Sequence, residues 1–446
     1  MNEKNIKIIS EKYKDLAHWA LKYALNKGCS DVSINIYTKI GNSFEYRNKQ
    51  LDTLQQSFQN GMFIQLYVSG RFASYSTNKL NKKDLEHFIV YGIETTCYLE
   101  KDKFRKLPDI SRLYQSDGEG LDIYDENIGV LSVSDKLNLV ENNVNEVYNT
   151  DKRLISVISE YSDSMSGEYM ITSDGFEGES LATCFSLSAV TSMRGKGDTR
   201  PSDSWYSSAV FWKDLQKKGI ARAAYERTFR KLGQKKIESG VYKILADNLV
   251  GCRLLFPLIS ALYGSAIQQQ SSFLRGKIGE KVISDKVTII DDPHIRRAQG
   301  ARLFDAEGVA TKRMNIIENG ILNMYYLDTY YAGKLAMRPT IQSPSILTFK
   351  HGNENFEQIL SSIEKGIWVT DFNGGNSNDV TGDFSFGIEG FLIENGKAIQ
   401  PLHEMNVTGN ILTLWQNIEK VGNDPRNDMP WQIPSILFGS VCFSGK

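Results

Sequence analysis

The chain of 446 residues is 41% hydrophobic, which is enough apolar material for the cores of about two or three domains. Its 52 lysines and arginines nearly balance 53 aspartates and glutamates, and the formal net charge of −1 argues against nucleic acid or a membrane surface as a partner. The N-terminal sequence MNEKNIKIISEKYKD has no apolar signal region, and no run of about 18 apolar residues follows. We therefore expect a cytoplasmic protein whose five scattered cysteines stay reduced.

The N-terminal part of the chain is predicted to form a helix, four antiparallel strands and a second helix. Apolar residues at intervals of three and four predict the first helix over 3–27. Alternating apolar and polar residues follow, and the pairs Asn60-Gly61 and Ser69-Gly70 are typical of tight turns between strands.

The same order of elements is predicted a second time, so 1–100 and 130–235 are interpreted as candidate copies of one unit. Asn81 is predicted to cap the helix that closes the first copy, and Ser134 the helix that opens the second. The other predicted elements are strands over 153–163, 166–173, 179–192 and 204–212 and a helix over 213–232. The polar segment 100–130 between the copies is predicted to be a linker or a surface loop.

The remainder of the chain is predicted to be rich in short strands, with a few packed helices. The predicted elements are hairpins at Asn319-Gly320 and Asn395-Gly396 and helices over 254–264, 328–336 and 355–365. The whole chain is thus predicted to be an α+β protein. Its N-terminal α+β domain would cover 1–235, and its β-rich C-terminal domain 236–446.

The sequence lacks the HExxH, GxSxG and GxxxxGK[ST] patterns of common zinc, nucleophile and phosphate sites. The five histidines are His18, His87, His294, His351 and His403. The first two lie in predicted amphipathic helices, and the other three are far apart in sequence. No histidine-based site is therefore predicted from spacing alone.

An acidic cluster in the C-terminal half has two interpretations. It consists of Asp291, Asp292, His294, Asp305 and Glu307. Carboxylates near an imidazole can hold a divalent metal ion or act as acid and base. Alternatively, the Asp-Pro and Glu-Gly pairs in these segments are turn residues whose side chains accept bonds from nearby backbone amides.

A glycine-rich segment, DFNGGNSNDVTGDFSFG, covers 371–387. Gly374, Gly375 and Asn376 are candidates for binding an extended peptide, because glycine lets another backbone approach closely. The alternative is a loop without a binding role.

Several segments resemble the TldD/PmbA family, whose members were historically called modulators of DNA gyrase. Among them are LLFPLISALYGSAIQQQSSFL, LFDAEGVATKRMNIIENGIL and TGDFSFGIEGFLIENGKAIQPL. The resemblance implies a pair of related subunits. The TldD type carries a zinc-binding HExxxH helix and serves an intracellular peptidase, whereas the PmbA or TldE type lacks that motif.

The same resemblance assigns this chain to the type without zinc. Phe256, Pro257 and Ala261 stand where the motif has its first histidine, its glutamate and its second histidine. The segment PRNDMPWQIPSIL has no cysteine where the zinc-bearing subunit has a ligand, and Cys442 is a weak substitute. We therefore expect an apolar, packed helix with Pro257 in its first turn, and no cofactor in this chain.

The resemblance implies a non-catalytic PmbA/TldE-like subunit that pairs with a zinc-bearing TldD-type subunit and acts with it on unfolded peptides. One alternative is a homodimeric peptide-binding protein without a peptidase partner. Another is a modulator of DNA gyrase, which the near-neutral charge disfavours because phosphate binding needs clustered lysine and arginine.

Overall fold

The computed structural model describes residues 8–116, 118 and 120–446 and confirms the predicted α+β class. The helices are α1 (Glu11–Asn26), α2 (Lys82–Thr96), α3 (Val133–Asn145), α4 (Ile220–Arg230), α5 (Gly251–Ser260), α6 (Gly264–Gln268), α7 (Thr329–Leu335), α8 (Phe356–Ser361) and α9 (Ile411–Gln416). Residues 3–7 of the predicted first helix lie outside the described residues.

The strands of the first, N-terminal sheet are β1 (Asp31–Arg47), β2 (Gln50–Val68), β3 (Arg71–Thr77), β4 (Leu154–Thr172), β5 (Glu177–Met193) and β6 (Ser202–Ala209). The strands of the C-terminal half are β7 (Gly240–Ala246), β8 (Ile289–Asp291), β9 (Met314–Glu318), β10 (Ile321–Leu322), β11 (Leu347–Phe349), β12 (Lys365–Ser377), β13 (Asp383–Glu394), β14 (Lys397–Asn410), β15 (Ile418–Val421), β16 (Trp431–Gln432) and β17 (Ile436–Ser444).

The N-terminal strands form one antiparallel sheet in the order β3-β2-β1-β4-β5-β6. A helix, three strands and a helix occur twice along the chain, so the prediction of four strands in each copy is wrong. The two strands predicted over 153–163 and 166–173 are the single strand β4. The duplication itself and the boundary between 235 and 236 stay predictions.

The Asn60-Gly61 pair lies inside β2 and forms no turn, contrary to the prediction. Gly61 pairs with Tyr37, and a Cβ at this position would lie 2.6 Å from the Tyr37 hydroxyl. The Asn60 side chain donates to the Tyr13 hydroxyl at 2.8 Å. Glycine is therefore needed here because an aromatic ring packs against its backbone. In the sequence, this Asn-Gly pair cannot be distinguished from one that forms a turn.

All four N-terminal helices cover the same face of this sheet. Val32 and Ile36 are buried under α1 and α2, whereas Phe44 and Tyr161 belong to the core under α3 and α4. Because side chains alternate along a strand, Asn35 faces the opposite side. That opposite face packs in part against the C-terminal half.

The ends of three helices show which capping predictions were right. Asn81 caps α2 by accepting the amide of Asp84 at 3.1 Å, as predicted. The cap of α3 is Ser132 and not Ser134, because Ser132 forms a reciprocal capping box with Asp135. The helix α4 is shorter than predicted and begins only after Gly219, which has a φ of 80°.

The segment predicted as a linker or surface loop lies against the C-terminal half. Leu113 forms a β-bridge with Val309, and Arg112 Nη2 donates to the Thr340 carbonyl at 2.6 Å. Leu113 also packs with Met170 of the N-terminal sheet. The segment thus contributes to the contact between the two halves.

The main C-terminal sheet has the order β14-β13-β12-β7-β17-β15, and an additional pairing of β14 with β17 closes five of these strands into a ring. A second sheet has the order β10-β9-β8-β11-β16. Both predicted hairpins are confirmed. Asn319 and Gly320 have φ angles of 47° and 79°, and Asn395 and Gly396 have φ angles of 48° and 73°. Two successive positive φ angles are what a two-residue hairpin turn of this kind requires.

The largest hydrophobic core lies in this half and includes the fully buried Trp415. The helices predicted over 328–336 and 355–365 are α7 and α8. Within the described part of the chain, every helix is too short or too polar to cross a membrane.

Candidate functional site

The helix α5 begins directly after the central strand β7. The side chain of Asp247 accepts the backbone amides of Leu249 and Val250 at 3.1 and 3.3 Å, which turns the chain into the helix. As a result α5 starts at Gly251, earlier than predicted, and Pro257 lies inside the helix. The prediction that Pro257 belongs to the first turn is therefore wrong.

One side of α5 is fixed in the core. Leu254, Leu255 and Leu258 are fully buried. The indole nitrogen of Trp415 donates to the Leu254 carbonyl at 3.1 Å. This carbonyl is thus satisfied, and the core holds the helix rigidly under the surface that it presents.

The three positions matched to the zinc motif carry no metal-binding group. Pro257 is buried, Ala261 belongs to the hydrophobic core, and Phe256 is 57% exposed. The Phe256 ring stacks on Trp431, with 6.2 Å between the ring centroids and 27° between the planes. Zinc needs nitrogen, sulfur or oxygen ligands, so these residues do not fit that ion.

The cysteine weighed as a substitute ligand lies at the wrong end of the sheet. Cys442 pairs with Val241 near the start of β7, whereas α5 follows the end of β7. Cys252, within α5, packs against the core, and burial raises the pKa of its thiol. Neither thiol is placed to complete a metal site at Phe256.

The structure brings the glycine-rich segment next to the exposed side of α5. Nη2 of Arg253 donates to the Gly375 carbonyl at 2.9 Å, and its guanidinium carbon lies 4.6 Å from the centroid of the Phe386 ring. Arg253 and Phe256 are both exposed on one side of the helix. We call Arg253, Phe256, Trp431 and Gly375 the α5 surface.

The backbone of the glycine-rich segment is irregular where it meets Arg253. The pairing of β12 with β13 shifts register between Asn373 and Asn376. Gly374 and Gly375 have φ angles of 68° and 81°, and a Cβ on Gly375 would lie 2.0 Å from the Ser385 carbonyl oxygen. The conformation thus requires glycine at both positions. The peptide-binding role of Gly374, Gly375 and Asn376 stays a prediction.

Most of the acidic cluster is engaged in local bonds. Asp305 accepts the amides of Glu307 and Val309 at 2.9 and 3.0 Å, which is turn chemistry. Asp292 accepts the amide of His294 at 3.3 Å, and the His294 ring bonds Thr311 instead of a carboxylate.

The two remaining carboxylates of the cluster bond different parts of the core. Asp291 accepts the amide of Ser345 at 3.0 Å, and Glu307 accepts both the amide and the hydroxyl of Thr329 at 2.9 and 3.0 Å. Across residues 8–116, 118 and 120–446, no group of three or more His, Cys, Asp and Glu side chains is placed to hold a metal ion. The geometry thus favours the turn interpretation over the metal interpretation.

Burial raises the pKa of Glu307 to about 7 and that of Asp291 to about 6. A carboxyl whose pKa is higher in the folded than in the unfolded state stabilises the fold only while it is protonated. For Glu307 this contribution is complete below about pH 4.5 and is lost as the pH rises through about 7.

We therefore expect Glu307→Gln, which keeps an acceptor for Thr329, to be more stable than the parent chain at pH 8. The gain should be about 1–3 kcal/mol and should shrink toward pH 5. Denaturant unfolding at both pH values measures it. The exposed Glu357→Gln serves as the control and should show no such trend. A gain for Glu307→Gln that is equal at both pH values would contradict the assignment.

Sequence reasoning missed Arg253 and Trp431. Arg253 precedes Phe256 by one helical turn, so their shared side could have been read from the spacing. Trp431 is far from both in sequence, and only the family resemblance, which matches its segment PRNDMPWQIPSIL to one with a zinc ligand, connects it to α5.

Comparisons with known proteins place these features in a wider group. Residues 239–445 match the family model of the PmbA/TldA metallopeptidase C-terminal domain, and residues 126–232 match that of the central domain. The protein called metalloprotease PmbA from Escherichia coli O157:H7 is 26% identical over 450 residues, which cover 99% of both chains.

Two solved structures are similar over nearly the whole chain. A candidate modulator of DNA gyrase from Bacteroides thetaiotaomicron is 49% identical, with a TM-score of 0.96, and the match covers 98% of this chain and 100% of that one. TldE from Thermococcus kodakarensis shares the fold with a TM-score of 0.82 at 18% identity, covering 97% of this chain and 100% of that one.

Proposed function

The chain belongs to the PmbA/TldD metallopeptidase family, and from this premise we propose that it is a non-catalytic, PmbA/TldE-like subunit. In this proposal it pairs with a zinc-bearing TldD-type subunit in the cytoplasm. The pair cleaves unfolded peptides, and this chain contributes to holding the substrate. The observation that carries the proposal is the stacked Phe256–Trp431 pair on the α5 surface, because Phe256 replaces a zinc ligand and its ring is exposed.

The α5 surface has the properties of a peptide-contacting site. The exposed ring of Phe256 and the half-buried ring of Trp431 offer apolar contact area, and aromatic and arginine side chains contribute most of the energy in many interfaces. Arg253 also holds the Gly375 carbonyl, which keeps an irregular strand segment close to these rings. A strand with positive φ angles at two glycines leaves backbone groups accessible to an extended chain.

Peptide binding tests this part of the proposal. We expect Phe256→Ala to weaken the binding of a fluorescein-labelled, unstructured peptide by about tenfold, since the exposed ring contributes on the order of 1 kcal/mol or more. Arg253→Ala should weaken it as well by releasing Gly375. Fluorescence anisotropy measures both. Phe229→Ala on α4, which also removes an exposed phenyl ring, is the matched control and should leave the affinity unchanged. Equal affinities for all variants would contradict a role of the α5 surface.

The homodimer alternative differs from the proposal in its partner. Mass measurement in solution, with and without a TldD-type subunit, separates the two. The Bacteroides protein is described as a modulator of DNA gyrase, but the net charge of −1 of the present chain does not favour direct binding to DNA.

A further inference from the structure

A cavity of about 560 Å³ lies between the open face of the N-terminal sheet and the C-terminal half. None of its lining residues belongs to α5 or to the glycine-rich segment. Apolar side chains form much of its wall: Leu121, Ile123, Met170, Leu181, Leu303 and Phe304. The volume is in the range of pockets that bind small organic molecules, about 300–1,000 Å³.

The charged groups that line the cavity are mostly acidic. Among the described residues of the lining they are Asp122, Glu168, Glu179 and Asp305, against one cation, Arg302. The guanidinium of Arg302 is already engaged, because it donates hydrogen bonds to the Ser345 hydroxyl and to the Ser343 carbonyl. The cavity therefore favours a cationic ligand over an anionic one.

Most of these carboxylates already have partners. Glu179 pairs with Lys14, Asp122 lies 4.0 Å from Arg297, and Asp305 accepts backbone amides. The side chain of Glu168 is exposed and has no ion pair or hydrogen bond within the part of the chain that the structure describes. It is thus a carboxylate at the cavity without a cation of its own.

A second group at the cavity also needs a donor. Oδ1 of Asn35 is buried and has no hydrogen-bond partner among residues 8–116, 118 and 120–446. A buried acceptor without a partner costs about 1–3 kcal/mol, so a donor that enters the cavity would be bound favourably.

The strand register places these two acceptors close together. Asn35 is opposite Met170 and Tyr37 is opposite Glu168, so Asn35 and Glu168 are diagonal neighbours on one face of the β1–β4 pair. Such neighbours are about 7–8 Å apart at Cα. This separation suits one ligand with two donor groups, and apolar walls lie beside the two residues.

We propose that this cavity binds the amino terminus of a peptide that begins with an apolar residue. The ammonium group pairs with Glu168, the first peptide N–H donates to Asn35 Oδ1, and the first side chain occupies the apolar wall near Met170 and Phe304. The choice of a peptide as the ligand rests on the proposed function. It adds a second subsite that distinguishes a free amino terminus from a blocked one.

Calorimetric titration with Leu-Leu-amide and with its N-acetylated form tests the inference. We expect the free amine to bind the parent chain about tenfold or more tightly than the acetylated form. Glu168→Gln should abolish this preference, and its unfolding midpoint checks that it is folded. Glu94→Gln, an exposed glutamate on α2, is the matched control and should keep the preference.

The two proposals fail in different ways. Arg253→Ala should not change dipeptide binding, because Arg253 does not line the cavity. Equal binding of both dipeptides, no binding of either, or a preference that survives Glu168→Gln would overturn the amino-terminus site. In each of these cases Phe256→Ala would still weaken the binding of the long, fluorescein-labelled peptide. Only an unchanged affinity of that variant would contradict the role of the α5 surface.

Discussion

Trp415→Ala is expected to lower the free energy of unfolding by about 3–5 kcal/mol. The side chain is fully buried, and its ring packs against Phe349 and Phe438. Its indole also donates to the Leu254 carbonyl at 3.1 Å, so alanine leaves a cavity and removes this hydrogen bond to α5. Chemical denaturation followed by circular dichroism measures the loss.

Trp431→Ala is the control for this result, since it removes an indole that is only partly buried and stacks on an exposed ring. This substitution should lower the free energy of unfolding by no more than about 2 kcal/mol, because Trp431 buries less apolar area on folding than Trp415 does. Equal losses for the two variants would contradict the assignment of Trp415 to the support of α5 and of Trp431 to its surface.

Lys231→Ala is expected to destabilise the protein by about 3–5 kcal/mol, because it removes a buried cation that two part-buried carboxylates share. Asp203 keeps Arg227 as a second cation, whereas Glu389 loses its ion pair. Lys231 is only 4% exposed, and its Nζ lies 3.0 Å from Asp203 and 2.7 Å from Glu389. Burial disfavours its charged form, but the two carboxylates outweigh that effect and raise its pKa. The residue joins the end of α4 to β13 and so connects the two halves of the chain.

Lys243→Ala provides the matched comparison. Lys243 lies 2.7 Å from Glu419, yet both side chains are well exposed, at 39% and 38%. This pair should contribute less than about 1 kcal/mol, since water screens it. Denaturant unfolding of both variants measures the difference. Similar losses would show that Lys231 does not hold a buried network.

The same network reaches the glycine-rich segment. Glu389 also accepts the side-chain amide of Asn373 at 3.0 Å, immediately before Gly374. The bulged backbone near the α5 surface is therefore supported from two directions, by Arg253 at Gly375 and by Glu389 at Asn373.

Local patterns predicted those features whose cause is local. The Asn-Gly pairs at 319–320 and 395–396 form hairpins because both residues must adopt positive φ. The Asn-Gly pair at 60–61 gave the same signal, but its glycine makes room for the ring of Tyr37 on the neighbouring strand. That requirement depends on strand pairing, which the sequence of one segment does not contain.

In the candidate site, too, the sequence predicted local features but not the contacts between distant residues. The continuous apolar character around Leu254 and Leu258 predicted a buried helix, and the structure buries that side of α5 but leaves Arg253 and Phe256 exposed on the other. The contacts that define the α5 surface join distant residues, since Arg253 and Gly375 are separated by 122 positions. For the acidic cluster, carboxylate spacing was compatible with both metal binding and turns, and the backbone partners of Asp305 favour turns.

The most direct test of the account is a peptidase assay of the isolated chain with an unfolded peptide and zinc, with and without a chelator and a TldD-type partner. We expect background cleavage for the isolated chain and chelator-sensitive cleavage once the partner is added, because Phe256, Pro257 and Ala261 offer no ligand. Chelator-sensitive cleavage by the isolated chain, together with stoichiometric zinc in it, would contradict the claim that this subunit is non-catalytic.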